Sequence, residues 1–209
     1  MLTRLVRRSL SVSLFVAASC VRAQERTLSF SCAAFPRTLS ESDLVARFGA
    51  DNVTAGRVFG RDDGPVPGSI VFARRPDAKL EVAWRDTLGR REPAFVAVKP
   101  GATRWSITDS VGVGTDLRTL ERVNGRSFTI VGFRAEMAGA VREWEGGRLE
   151  ASAAGGCHLS VFLSPREGTD DPRVLAPVVG GTVRSSHPTM QELNPTVTLL
   201  FIWYSAPAG

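Results

Sequence analysis

Thr196-Val197-Thr198-Leu199-Leu200-Phe201-Ile202-Trp203-Tyr204 decides the fold class of this chain. From Leu199 to Trp203 no position is polar, and the run is rich in β-branched and aromatic residues. A strand covered on both faces reads as such an uninterrupted apolar run, whereas a half-exposed strand alternates. The segment is therefore expected to be an interior strand of a sheet. Outward from it, the same kind of short apolar run recurs between turn residues: Arg26–Phe30, Val53–Phe59, Ser69–Phe72, Leu80–Trp84, Phe95–Val98, Ser127–Phe133, Ala140–Trp144 and His158–Leu163. Many short strands with few helices follow from that spacing. Trp144-Glu145-Gly146-Gly147-Arg148-Leu149 places two glycines between two such runs, the composition of a two-residue hairpin loop. Asp62-Asp63-Gly64-Pro65-Val66-Pro67-Gly68 is expected to be a loop.

Two stretches read as helices, and they resemble each other. In Thr38–Gly49, Ser40 is a good N-cap, Asp43 stands three residues on as in a capping box, and Gly49 closes the helix. Leu44 and Phe48 share one face. In Gly114–Gly125, Asp116 caps, Leu117, Leu120 and Val123 form the apolar stripe, and Asn124-Gly125 ends it. Leu44 aligns with Leu120 and Gly49 with Gly125, so the chain is expected to hold two related halves, 24–103 and 104–209, joined near Pro100–Ser110. The expected class is α+β, with a largely antiparallel sheet and short helices on one face.

The N-terminus carries Arg4, Arg7 and Arg8, an apolar run from Leu10 to Ala18, and Val21-Arg22-Ala23 before Gln24. That is the layout of a secretory signal peptide over residues 1–23, and the run is too short to span a bilayer. A periplasmic or secreted location is expected. Four of the 26 Lys and Arg residues lie in this leader and none of the 21 Asp and Glu, which leaves 22 against 21 downstream. The basic balance is thus a targeting feature, and no nucleic-acid partner is expected. Lys79 and Lys99 are the only lysines.

Ala17-Ala18-Ser19-Cys20 resembles a lipobox, with Ala17 where leucine is usual, so Cys20 is a candidate for lipidation. A membrane partner is expected only if Cys20 is acylated. The other two cysteines, Cys32 and Cys157, form an even pair in an exported chain and are expected to be disulfide-bonded. Such a loop of about 125 residues is worth about 4–5 kcal/mol in the chain-entropy model.

The dozen or so residues of each helical stretch resemble the SmpA/OmlA module of the BamE lipoprotein and the tandem units of the β-lactamase-inhibitor-protein fold. The motif there is Gly-Met-Thr, three variable residues, an aliphatic residue and a closing glycine. Gly114, Leu120 and Gly125 keep its spacing, as do Leu39, Ser40, Leu44 and Gly49 in the first copy; Thr38 departs from the opening glycine, and Thr115-Asp116 departs from Met-Thr. The resemblance implies protein binding rather than catalysis and transfers no contact residue. The segments Asn124–Thr129 and Trp144–Leu149 also resemble exported bacterial proteins.

Chemistry is sparse. Only His158 and His187 are histidines, and Cys157-His158 point to opposite faces of a strand, so neither a metal site nor any cofactor is expected. Ser185-Ser186-His187-Pro188 with Asp170-Asp171 holds the residue types of a serine hydrolase without its nucleophile elbow. A local reading competes: Ser185 or Ser186 starts a turn, Pro188 opens a short helix and Asn194-Pro195 ends it. Gly112-Val113-Gly114 lacks the rest of any phosphate loop. Trp84 and Trp144, with Arg142 and Arg148 nearby, have the composition of an interaction surface, and equally that of a sheet packed under helices. The expected function is an exported, non-enzymatic interaction module for an envelope protein or a small ligand. The alternatives are an exported hydrolase using Ser186 and His187 and a lipid-anchored envelope scaffold.

Overall fold

The computed structural model describes residues 27–59, 64–108, 110–153, 156–169 and 171–205. The expected leader, Cys20, and Asp62, Asp63 and Asp170 lie outside these residues. The elements run in the order β1 (Leu28–Ser29), α1 (Glu41–Phe48), β2 (Val53–Val58), β3 (Val66–Val71), β4 (Leu80–Asp86), β5 (Arg91–Val98), β6 (Trp105–Thr108), β7 (Val111–Gly112), α2 (Leu117–Asn124), β8 (Thr129–Val131), β9 (Val141–Glu143), β10 (His158–Ser164), α3 (Pro172–Leu175), β11 (Thr182–Arg184), α4 (Pro188–Leu193) and β12 (Thr196–Trp203). The class is mixed α+β. A six-stranded antiparallel sheet has the order β10-β12-β5-β4-β3-β2, flanked by the three-stranded sheets β1-β6-β7 and β11-β8-β9. The pair β1–β6 is parallel.

The apolar run at the C-terminus is β12, and it is interior, between β10 and β5. Its two faces differ. Val197, Leu200, Ile202 and the following Tyr204 are buried, while Leu199, Phe201 and Trp203 are half-buried. Val197 and Leu200 are three apart yet both buried, because the register slips at Thr198: Leu163 pairs with Val197 and Phe162 with Leu199. The extra residue of that bulge restores the alternation.

Every helix that carries weight packs on one face of the large sheet. Leu44 of α1, Leu117 and Leu120 of α2, Leu175 of α3 and Met190 and Leu193 of α4 join one cluster with Val71, Leu80, Val82, Val96, Val98, Val161, Leu200 and Ile202. Aromatic rings fill its end: Trp105 is fully buried against Phe35 and Phe48, and its indole N–H donates to the Ala78 carbonyl at 2.7 Å. Trp105 and β6 occupy the segment read as the joint between halves, and the large sheet itself takes four strands from 53–98 and two from 158–203. Gly112 lets β7 approach β6 closely, since a Cβ there would lie 2.3 Å from the Trp105 carbonyl oxygen.

Both expected helices form with the expected caps. The Ser40 hydroxyl accepts from the Asp43 N–H, and the Asp43 carboxylate accepts from the Ser40 N–H at 2.8 Å, a complete capping box. The Asp116 carboxylate accepts from the Thr119 N–H at 2.8 Å, and Gly125 closes α2 in the left-handed region at φ 82°. The Gly146-Gly147 hairpin does not form: β9 ends at Glu143, and a 3-10 segment, Arg148–Ala153, follows the turn. Buried Asn124 captures that turn, donating to the Trp144 carbonyl and accepting from the Leu149 N–H, so the chain turns under α2 instead of pairing back. Residues 66–68, expected to be loop, are the start of β3.

Cys32 and Cys157 are disulfide-bonded with Cα atoms 5.7 Å apart. The bond ties the turn after β1 to the residue before β10. Disulfides of this kind persist in oxidising compartments. No described helix is long and apolar enough to cross a membrane.

Candidate functional site

The outward face of the large sheet is where apolar surface and charge meet. Pairing brings Ile70, Glu81, Ala97, Phe201 and Ser160 into one row across β3, β4, β5, β12 and β10. The next row holds Gly68, Ala83, Phe95, Trp203 and His158. Val58, Ala83, Phe95 and Ala97 are buried there as a second, smaller cluster without a helix, and Ile70, Leu199, Phe201 and Trp203 lean on it half-covered. The rings are ordered: Phe95 stacks on Phe201 at 5.2 Å, Phe59 meets Phe95 edge-on at 6.3 Å, and His158 stacks on Trp203 at 3.9 Å.

A groove of about 370 Å³ runs over this face. Its floor is Ser160, Phe162, Leu199, Phe201 and Trp203. Phe59, just past β2, walls one side, and Met137 with Glu136 walls the other. Phe59 is 46% and Met137 54% exposed, although both are large apolar side chains. Met137 is held over the groove with its backbone at φ 59°, a conformation that costs energy for a side chain of its kind. The volume lies within the range of small-molecule sites.

At the Phe59 wall lies a charged cluster. Glu81, the buried acidic residue among the described residues, is salt-bridged to Lys99 at 2.8 Å and to Lys79 at 3.3 Å. Its carboxylate also accepts the Phe59 N–H at 3.0 Å. The Lys99 ammonium sits 5.4 Å from the centre of the Phe59 ring. Burial alone would raise the Glu81 carboxyl; the Lys99 hydrogen bond, the Phe59 amide, the Lys99 charge and Lys79 outweigh it and hold the group below the ordinary glutamate value. Both lysines of the chain therefore converge on one carboxylate while staying about two-fifths exposed, at 41% and 42%. Depressions on either side of Glu81, one reaching Pro76 and Pro100 and the other Arg57 and Pro65, keep these ammoniums open to solvent.

The residues singled out in the sequence lie elsewhere. Trp84 is buried at 4% exposure, because its indole N–H donates at 2.8 Å to Ser69, whose hydroxyl donates in turn to Glu41. It is a core residue and presents little surface. Trp144, just past the end of β9, is half-buried against Phe128 at 5.0 Å, whereas Trp84 lies within β4. Arg142 is exposed, and Arg148 donates to the Arg122 carbonyl at the end of α2. The four do not form one patch.

Two of the residues named for a hydrolase, Ser185 and His187, have local structural partners. Ser185 is buried; its hydroxyl donates to Glu121 at 2.5 Å and accepts from the Phe128 N–H. Gln191 closes that network by donating to Glu121 and to the Ser185 carbonyl, stapling α4 to α2. His187, not Ser185 or Ser186, caps α4, its Nδ1 accepting from the Thr189 N–H at 3.2 Å. Ser186 is exposed, and Asp171 caps α3. Among the described residues no group of three or more His, Cys, Asp or Glu side chains is placed to hold a metal ion.

The groove residues went unnoticed in the sequence for a physical reason. Lys79 and Glu81 are two apart at the start of a strand, which places them on one face, but Lys99 joins them only through the β4–β5 register. Leu199, Phe201 and Trp203 alternate, yet their apolar neighbours hide that alternation. Comparison with known proteins finds no matching family model, no matching curated protein and no matching solved structure.

Proposed function

We propose that this chain is an exported, non-enzymatic binding module, periplasmic or secreted, whose working surface is the outward face of the six-stranded sheet. The observation that carries this is the groove: stacked aromatic rings that no helix among the described residues covers, between an exposed Phe59 and an exposed Met137. Apolar rings left open beside polar rims are what interaction sites require. Methionine adds an adaptable wall. The Cys32–Cys157 bond supports export, and the resemblance of the two glycine-closed helices to SmpA/OmlA and β-lactamase-inhibitor-protein modules points to binding as well. Ser185 is engaged with Glu121 and the His187 Nδ1 with a helix cap, which supports a structural reading of this segment over the hydrolase alternative of Ser186 and His187.

The test uses the mature protein from an exporting bacterial host and an apolar, surface-sensitive dye. The native protein is expected to bind the dye, and Phe201→Glu or Ser160→Trp to lose most of that binding with an unchanged thermal transition. Undiminished binding in both variants would overturn the assignment of this face. The intact mass of the same preparation reports export: a start at Gln24 with two thiols appearing only on reduction is expected. A start at acylated Cys20 would make the protein a tethered scaffold instead.

A further inference from the structure

We infer that the groove takes an amphiphile with one anionic headgroup, its apolar chain lying on Leu199, Phe201 and Phe162 and its headgroup on the Lys99 and Lys79 ammoniums. This rests on the proposal that the outward sheet face is the binding surface. It adds the chemistry of the ligand.

Three observations lead to it. First, the apolar groove and the charged cluster are contiguous. Phe59 lines both the groove and the depression holding Glu81 and Lys99, and Lys99 follows Val98, whose partner on β12 is Leu200, the neighbour of Leu199. A chain on the groove floor therefore has its end within reach of the ammonium. Second, among the described residues lining the two depressions, the cations Lys79, Lys99 and Arg57 surround a single carboxylate, Glu81. Two cations share one carboxylate, and that carboxylate is already occupied by both lysines and by the Phe59 amide. Glu81 fixes the ammoniums in place without neutralising both. An anion between them would complete the pairing, with charge-assisted hydrogen bonds of the stronger kind. Third, each ammonium remains more than one-third exposed, at 41% and 42%, so it can be approached without breaking the bond to Glu81.

The opposite end of the groove sharpens the choice of ligand. Glu136 stands beside Met137 there, so an anionic head is favoured at the Lys99 end and disfavoured at the other. A cationic amphiphile would have to bind reversed, and a neutral one would gain only the apolar contact. The committed ligand is a single-chain carboxylate taken up as a monomer, not a membrane surface.

The experiment compares decanoate, decanol and decyltrimethylammonium, which share one apolar chain, by titration calorimetry on the mature disulfide-bonded protein. Decanoate is expected to bind about tenfold or more tighter than decanol, as one or two charge-assisted contacts would give. Lys99→Gln should erase that preference, and Lys79→Gln should reduce it. Phe201→Glu should abolish binding of both. Equal affinity for all three probes would overturn the headgroup assignment and leave the face intact as a binding surface. Dye binding that depends on Phe201, with no decanoate binding, would overturn the ligand class alone. Sedimentation with phosphatidylglycerol vesicles in the absence of decanoate binding would also overturn it, in favour of a membrane surface.

Discussion

The two faces of the six-stranded sheet are built from the same strands and differ in what lies over them. On the inward face Val71, Leu80, Val98, Leu200 and Val161 are each at most 1% exposed, beneath α1, α2 and α4. On the outward face the neighbouring positions Ile70, Leu199, Phe201 and Trp203 are only half-covered, and among the described residues no helix joins their cluster. The inward face is closed, largely aliphatic with buried rings at one end, as a core needs; the outward face carries rings that are only half-covered, with a buried carboxylate beside them. Burial supplies stability in the first case, while the second leaves apolar area in water, which a fold gains nothing from. The proposed binding function is therefore placed on the outward face.

The sharpest way to break that contrast is a pair of adjacent substitutions. Leu200→Ala removes a fully buried side chain from the closed face and should cost about 2–5 kcal/mol, as cavity-forming substitutions do. Leu199→Ala, one residue away on the open face, should cost under about 1 kcal/mol, because the site is already solvated. Urea unfolding at neutral pH reads both. Equal losses would mean that the outward face is packed as tightly as the inward one, and the binding proposal would fall with it.

The disulfide belongs to the closed side, joining the turn after β1 to the start of β10. Replacing both Cys32 and Cys157 by Ala should cost about 2–4 kcal/mol. Binding to the groove should survive in whatever fraction stays folded, since neither cysteine lines it. A selective loss of binding in a folded variant would show that β10, which carries Ser160 and Phe162, depends on the bond for its position.

A smaller effect probes the charge on the open face. The Glu81 carboxyl is held below its ordinary value in the folded protein, so the stability it contributes is present above the unfolded pKa of about 4.3 and is lost as pH falls through the folded value. Glu81→Gln should therefore lower stability at pH 7 by about 1–2 kcal/mol, and the difference should shrink as pH falls below the unfolded value and through the lowered folded one. Thermal transitions of both proteins across that range check it. Asp43 and Asp86 are depressed too, by the Ser40 side chain and by the Gly89 N–H respectively, so the difference between the two curves isolates Glu81. Parallel curves would show that the lysines hold Glu81 no better than water does.

Much of the closed side was legible in the sequence, because local chemistry encodes it. Ser40, Asp116 and the closing glycines mark helix ends by the backbone groups they satisfy, and two cysteines downstream of an expected leader leave one pairing. The interior place of β12 followed from its unbroken apolar run. That same run misled about its outward side, since a strand under helices and a strand under a ligand both need apolar residues there. Strands of two to four residues, such as β6, β7 and β11, carry too little pattern to be seen. The Gly146-Gly147 turn failed as a hairpin because Asn124, far away in sequence, takes its backbone groups. The Lys79–Glu81–Lys99 cluster needed strand register, which no local signal supplies.

The smallest predicted effects compare the two helices that cover the closed face, and they ask how alike these really are. α1 and α2 have the same length, eight residues, and each closes with a glycine whose N–H returns to the carbonyl four residues back. Their starts differ. At α1 the bond runs both ways between Ser40 and Asp43; at α2 Asp116 accepts from the Thr119 N–H, and the Thr119 hydroxyl is instead engaged by Arg122. Ser40→Ala and Asp116→Ala should each cost about 1 kcal/mol. A double-mutant cycle on Ser40 and Asp43 should show coupling, whereas one on Asp116 and Thr119 should be additive within about 0.3–0.5 kcal/mol. The reason is that side-chain truncation at Thr119 leaves the capping N–H in place. If the second cycle also couples, α2 forms a reciprocal cap in solution, and the two helical units are closer copies of one another than their side-chain geometry makes them.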